Sequence, residues 1–91
     1  MADLLELRPQ VAAFAQLMER KLRSHDSGRG KRGWKIASPR WLYNRLRQEL
    51  NELAYAIAKP PVDQSRAAME CVDVANFAMM IADVLGQLEG E

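Results

Sequence analysis

The sequence predicts an all-α protein, an antiparallel bundle of three main helices in one domain that spans residues 1–91. Apolar residues recur at helical spacing in three long segments, and stretches rich in glycine, proline and polar residues separate these segments. No segment shows the alternation of apolar and polar residues that is typical of a strand. With 91 residues, of which 48% are hydrophobic and 27% charged, the chain has an ordinary globular composition and a small core.

The first helix is predicted to run from about Pro9 to Ser24, because apolar side chains recur at helical spacing over this range. Pro9 suits an early helical position, where the missing N–H of proline costs nothing. The next segment, SHDSGRGKRGWKIA (residues 24–37), combines glycine and serine with basic residues. We therefore expect a loop there.

The second helix is predicted to begin with Ser38 as N-cap and Pro39 in its first turn, and to stop at Lys59, before two consecutive prolines. The third is predicted from near Asp63, another good N-cap, to about residues 86–88. Apolar side chains lie on almost every side of this third helix, which indicates burial all round. Since two neighbouring helices cannot surround a third, we expect the bundle to be completed by dimerisation or tetramerisation.

Charge and cysteine content narrow the expected environment and partners. The net charge is +1, so no overall positive field favours nucleic acid or an anionic membrane. A short basic segment, GRGKRGWK, makes nucleic-acid binding only a weaker alternative. Cys71 is the one cysteine, which fits a reducing cytoplasm. The first ten residues lack the pattern of a signal peptide, and acidic residues interrupt the apolar C-terminal segment, so no membrane association is expected.

Two pairs of acidic residues stand three positions apart, Glu49 with Glu52 on the second helix and Glu70 with Asp73 on the third. Residues at this spacing share a helix face, and Glu49 falls inside the apolar stripe that should face the core. Solvated or salt-bridged acids are the commoner interpretation of either pair alone. Two pairs facing each other would repel by about 3 kcal/mol per pair at 5 Å and an effective dielectric near 20, so we expect a cation between them.

The chemistry of the four acids indicates which cation and which substrate to expect. Oxygen ligands without His or Cys suit a hard ion, which is Mg²⁺ or, in its place, Mn²⁺. Carboxylates that hold such an ion in turn favour a phosphate-bearing substrate, because the ion bridges phosphate oxygens and neutralises the charge that develops on them.

The spacing Glu49-x-x-Glu52 followed by Glu70-x-x-Asp73 resembles the ExxE…ExxD signature of the MazG-like, all-α nucleoside triphosphate pyrophosphohydrolases, especially small phage and bacterial members. The similarity extends upstream through RGWKIASPRWLYNRLRQELNELAYAI, where an Arg-x-Trp precedes a Ser–Pro helix start, and it covers about residues 14–85. The resemblance implies a helical dimer or tetramer. It also implies that the four acids form the catalytic site, holding the Mg²⁺ with which the family hydrolyses nucleoside triphosphates to monophosphate and pyrophosphate.

Five further residues are candidates for binding the nucleotide. Trp34 either stacks on a base or closes the end of the bundle. Lys31, Arg32 and Lys35 are candidates for holding triphosphate oxygens, although basic residues in such a segment are more often solvated. Asn76 resembles the asparagine that small phage-type members place near the nucleotide.

The expected function is that of an enzyme, a Mg²⁺-dependent nucleoside triphosphate pyrophosphohydrolase that converts (d)NTP to (d)NMP and pyrophosphate in nucleotide-pool housekeeping. The alternative is a non-catalytic helical oligomer, an interaction module that retains the fold while its acids have no catalytic role. Magnesium binding separates the two hypotheses. Phe77 stands where many relatives have an aromatic residue with a hydroxyl, which leaves the preferred base open.

Overall fold

The computed structural model describes residues 6–29 and 33–88, and this part of the chain forms helices and no strand. The elements are α1 (Pro9–Arg29), a short 3₁₀ helix (Gly33–Ile36), α2 (Pro39–Ile57) and α3 (Gln64–Val84). The predicted all-α fold with three main helices is thereby confirmed.

Helix α1 continues past its predicted end at Ser24 and reaches Arg29. The Ser24 hydroxyl donates a 2.7 Å hydrogen bond to the Lys21 carbonyl, so this polar side chain is satisfied within the helix. One turn earlier, Arg23 and Glu19 form an ion pair of 2.8 Å at helical spacing. The extension places His25, which was expected in a loop, on the last turns of a helix.

The starts of α2 and α3 agree with the caps that the sequence predicts. The Ser38 hydroxyl accepts a 3.1 Å hydrogen bond from the Trp41 backbone N–H, and Pro39 occupies the first turn of α2. The Asp63 carboxylate accepts a 3.1 Å hydrogen bond from the Arg66 backbone N–H. Each cap satisfies one of the N–H groups that have no partner inside a helix.

Helix α3 ends at Val84, before the predicted end at about residues 86–88, and a glycine follows this end. Gly86 has a φ of 78°, a left-handed conformation that glycine adopts without strain. Its N–H bonds to the Asp83 carbonyl at 2.9 Å, and the Gln87 N–H bonds to the Ala82 carbonyl at 3.1 Å. This is the Schellman arrangement, which satisfies carbonyls of the last turn. It fixes the position of Asp83 next to the 3₁₀ helix.

Helix α3 is the centre of the fold. It packs against α2 along most of its length and against α1 and the 3₁₀ helix on another side, whereas α1 and α2 make no close backbone contact within residues 6–29 and 33–88. Helix α1 runs antiparallel to α3, since Met18 and Lys21 lie opposite Asn76 and Asp73 respectively. Helix α2 does so too, since Arg45 lies over Phe77 and Glu49 lies close to Glu70 and Asp73. A cleft therefore opens between α1 and α2, with α3 as its floor.

The apolar core is small and lies between α2 and α3. The described part of the chain buries Leu42 of α2 and Ala67, Val72 and Met80 of α3. The radius of gyration is 14.6 Å, larger than the roughly 12 Å of a compact chain of this length. The bundle is thus open, and the single chain leaves much of its apolar surface in contact with solvent.

Candidate metal centre

Three of the four predicted acids come together in the structure. Carboxylate oxygens of Glu49 from α2 and of Glu70 and Asp73 from α3 all lie within 4.8 Å of one another. We call these three residues the acidic cluster. Oxygen ligands bind Mg²⁺ or Ca²⁺ at about 2.0–2.6 Å, so opposite ligands of one ion stand about 4–5 Å apart. The acidic cluster could therefore hold a metal ion.

Glu52, the fourth predicted acid, lies nearby but is not part of the acidic cluster. It lines the same cleft as Glu49 and Asp73, and its side chain is exposed. One turn of α2 separates it from Glu49, so its carboxylate stands towards the solvent side of the site. Its position suits a group that faces a bound water or the outer side of an ion rather than the buried end of the cleft.

Glu49 is the most deeply buried charged residue among those described, at the α2 side of the cluster. Its side chain is only 6% exposed, and burial, followed by the charges of Glu52 and Asp73, raises the pKa of this carboxyl above its ordinary value. Arg45 opposes this change in pKa, and Glu70 adds to it. Without a further cation, the ionised form of Glu49 is therefore disfavoured in the folded protein.

The acidic cluster has two unequal internal cations. Lys21 of α1 places its Nζ 3.0 Å from Asp73 Oδ1, and Arg45 of α2 places Nη2 3.3 Å from Glu49 Oε2. Among the residues described, Glu70 has no such partner, and its Oε1 is buried without any hydrogen bond. The centre thus combines two acids that form ion pairs with one that forms none among the described residues.

Asn76 lies beside the acidic cluster and is 3% exposed. Its Nδ2 donates a 3.2 Å hydrogen bond to the Met18 carbonyl of α1. Its Oδ1 is buried and finds no hydrogen-bond partner in the part of the chain that the structure describes. A buried amide oxygen without a partner costs free energy, so its retention next to the cluster favours a ligand that supplies a donor or a cation.

Two adjoining clefts lie next to the acidic cluster, whose Glu49 and Asp73 line the first of them. The acidic cleft, of about 350 Å³, lies between the three helices and is lined by Lys21, His25, Arg45, Glu49, Glu52, Asp73 and Asn76. The aromatic cleft, of about 720 Å³, lies at the 3₁₀ helix and is lined by Trp34, Ile36, Trp41, Leu42 and Phe77. His25, Arg45 and Phe77 border both clefts. Volumes of this size are typical of small-molecule sites.

The structure places the predicted nucleotide-binding residues in different surroundings. Asn76 lines the acidic cleft and Trp34 the aromatic cleft. The Lys35 ammonium lies 2.6 Å from Asp83 Oδ2 and lines neither cleft. Lys31 and Arg32 fall outside the described residues.

Trp34 is tied to α3 and also forms a wall of the aromatic cleft. Its indole N–H donates a 2.9 Å hydrogen bond to the same Asp83 oxygen that pairs with Lys35. Hydrogen bonds from Lys35 and then Trp34 lower the pKa of the Asp83 carboxyl. The two interpretations of Trp34 are therefore compatible, since the bond that closes the end of the bundle also fixes the ring beside the cleft.

Sequence reasoning missed Lys21, His25, Arg45 and Trp41 as residues of the site. Arg45 had a local signal, because it stands four residues before Glu49 on the same helix. Its guanidinium also lies over the Phe77 ring, 5.0 Å from the centroid. Lys21 and His25 had no local signal, because their role depends on how α1 packs against α3.

Comparisons with protein-family models, with curated proteins and with solved structures found no match for this chain. The resemblance to the MazG-like family accordingly rests on the acidic spacing and on the segment before it. Among the described residues, no helix combines the length and the apolar character needed to cross a membrane.

The Asp83 contacts predict a pH-dependent contribution to stability. Because the pKa of Asp83 is lowered on folding, this carboxylate stabilises the fold above its ordinary value of about 3.8, and the stabilisation is lost as pH falls through the lowered value. Asp83→Asn should therefore lower the melting temperature at neutral pH, and the difference from wild type should shrink in strong acid. Thermal melts of both proteins from about pH 2 to 7 measure this difference in melting temperature on both sides of the ordinary pKa of an aspartate. A difference that does not change with pH would contradict the assignment.

The acidic cluster predicts different effects on stability for two conservative substitutions in metal-free protein. Glu70→Gln removes one of three close charges, from a residue that has no cationic partner among the described residues, so the variant should be more stable by about 1 kcal/mol. Asp73→Asn leaves Lys21 without its partner and should gain less or lose stability. Urea unfolding in the presence of a chelator measures both. Equal destabilisation by both changes would show that the acids are held by structural ion pairs.

Proposed function

We propose that the protein is a Mg²⁺-dependent nucleoside triphosphate pyrophosphohydrolase that converts a (d)NTP to the (d)NMP and pyrophosphate. The observation that carries this proposal is the convergence of carboxylate oxygens of Glu49, Glu70 and Asp73 within 4.8 Å, from two helices. Glu49 and Asp73 also line the acidic cleft. Such a cluster is costly unless a cation joins it. The spacing of the same residues resembles the signature of the MazG-like family.

The donor atoms support a hard divalent ion. The acidic cluster offers carboxylate oxygens, with the unpartnered Asn76 amide oxygen close by, and it contains no His or Cys ligand. Mg²⁺, or Mn²⁺ in its place, fits this set. Glu49, Glu70 and Asp73 would hold the ion, and Glu52, the fourth predicted acid, would lie beside it. When bound, the ion would supply charge neutralisation for the phosphate oxygens and a more acidic water.

The residues of the acidic cleft support hydrolysis of a phosphoanhydride. Glu52 is exposed and lies outside the cluster. We therefore propose that its carboxylate orients the attacking water and accepts a proton from it. Arg45 borders both clefts and carries five donors in a rigid fork, which suits phosphate oxygens. From this position its guanidinium would stabilise the negative charge that develops on the pyrophosphate leaving group.

The aromatic cleft supports a nucleoside as the other half of the substrate. Trp34, Trp41 and Phe77 offer ring faces on which a base can stack. The two clefts share a border, so a base in the aromatic cleft has its phosphate chain directed towards the acidic cluster. This arrangement matches a nucleoside triphosphate better than inorganic phosphate or a phosphopeptide. In a cell, the activity would serve housekeeping of the nucleotide pool.

A screen of (d)NTPs with Mg²⁺ tests the proposed function. Wild type should release nucleoside monophosphate and pyrophosphate in equal amounts from at least one substrate, and Glu70→Gln should lower kcat by about 100-fold or more, as loss of a metal ligand would. Glu19→Gln, which removes the same charge from an exposed ion pair on α1, serves as the control and should keep full activity. Chromatography of the nucleotides with a separate pyrophosphate assay gives the readout.

The screen also distinguishes the non-catalytic alternative. An interaction module would release neither product from any nucleotide, and its melting temperature would not respond to Mg²⁺. Release of inorganic phosphate without pyrophosphate would indicate a different cleavage position. Either result would contradict the pyrophosphohydrolase proposal.

We infer, as part of the same proposal, that the chain works as a homodimer or homotetramer. Tyr43, Leu50 and Ile57 stand seven residues apart on α2 and are 44%, 46% and 54% exposed. This spacing puts them on one face, and such a stripe is typical of a helix–helix contact. Together with the open shape of the bundle, it favours a second copy packed against α2.

Leu50→Arg is expected to weaken this assembly without unfolding the chain. The side chain is 46% exposed in the single chain, so a charged residue there costs little unless another subunit covers it. Sedimentation equilibrium should show wild type above 10.3 kDa and the variant shifted towards that mass. Leu7→Arg, at a leucine before α1 that is 57% exposed, is the control. A wild type found only as a 10.3 kDa species would refute the oligomer.

A further inference from the structure

Lys21 already stands where the proposed metal ion would have to bind. Its Nζ lies 3.0 Å from Asp73 Oδ1, and Asp73 belongs to the acidic cluster. The acids come from α2 and α3, whereas Lys21 comes from α1 across the cleft. An ammonium at this distance neutralises the Asp73 carboxylate and blocks one direction from which this carboxylate could coordinate a metal ion. A divalent ion that uses this carboxylate therefore competes with Lys21.

The two internal cations of the cleft differ in how firmly they are held. Arg45 bonds to Glu49, hydrogen bonds to Gln48 and lies over the Phe77 ring. Within residues 6–29 and 33–88, Asp73 is the one ion-pair partner of Lys21. The Lys21 side chain is 30% exposed, lines the acidic cleft and has a flexible four-carbon stem, so its ammonium can turn away from Asp73 towards the cleft.

We propose that Lys21 is a displaceable counter-ion of the metal centre. It neutralises Asp73 in the metal-free protein, releases this carboxylate when a divalent ion binds, and then contacts the triphosphate chain of the substrate. The proposal rests on the proposed function for the metal and the substrate, and adds a residue that links their binding. Lys21 is thus a substrate-binding residue that also sets the affinity for metal.

The exchange makes metal and triphosphate binding mutually dependent. In the absence of phosphate, displacement of Lys21 from Asp73 costs an ion pair and weakens metal binding. When a phosphate chain is present, the displaced ammonium gains a new anionic partner, so the ion binds more tightly. By linkage, the metal strengthens phosphate binding by the same factor. Lys21 therefore weakens binding of the metal alone and strengthens binding of the metal together with a triphosphate.

Lys21→Gln tests the exchange with two defined probes. Isothermal titration with Mg²⁺ alone should show about 5-fold tighter binding than in wild type, the lower end of typical coupling between sites. Titration with inorganic tripolyphosphate premixed with Mg²⁺ should show binding weakened by about 5-fold or more. Lys21→Arg keeps the charge and should move both affinities back towards wild type. Lys59→Gln, at an exposed lysine outside both clefts, controls for the change in net charge.

A measurement on wild type needs no substitution at all. The carbon NMR signal of Lys21 Cε should shift when Mg²⁺ is added and shift again when tripolyphosphate follows. Unchanged or weaker Mg²⁺ binding in Lys21→Gln, or a Cε signal that ignores Mg²⁺ while the wild type binds it, would overturn the exchange and leave Lys21 as a structural ion pair. A wild type that binds neither probe would instead overturn the proposed function, and the exchange with it.

Discussion

The antiparallel contact between α2 and α3 is the constraint on which the rest of the structure depends. It buries the apolar core residues Leu42, Val72 and Met80, and the same contact brings Glu49 against Glu70 and Asp73. Burial of the core is therefore obtained only with three carboxylates in proximity. The apolar packing stabilises an arrangement that the charges oppose, and this opposition favours a cation beside the acids. Core packing and the proposed metal site therefore share one interface, and their effects on stability are opposite.

Helix α1 completes the site in a different way. It contributes to the cleft an ammonium, an imidazole and a backbone carbonyl, from Lys21, His25 and Met18 respectively. The carbonyl orients Asn76 so that its amide oxygen remains without a partner, and the ammonium offsets part of the acidic charge. At the other end, the Gly86 cap of α3 fixes Asp83, which holds Trp34 through its indole N–H. The polar and aromatic halves of the site are thus anchored to different ends of α3.

Local patterns predicted the features of this protein that local physics determines. Ser38 and Asp63 were predicted as N-caps because a cap depends on the residues next to it. The acids could be placed on shared faces because helical spacing fixes their angles. The extension of α1 beyond Ser24 was missed because a side-chain hydrogen bond within the helix offset the polar composition. Lys21 could not be assigned to Asp73, since that contact joins helices that are far apart in the sequence.

The position of the buried core between α2 and α3 has a consequence for how such a protein can diversify. All fully buried apolar side chains of the described residues lie on α2 and α3, and none lies on α1. Substitutions on the cleft side of α1 therefore alter the shape and charge of the site while the packing that holds the fold is unchanged. The cleft of such a scaffold can therefore change through α1, while the acidic cluster and the buried core remain together on α2 and α3.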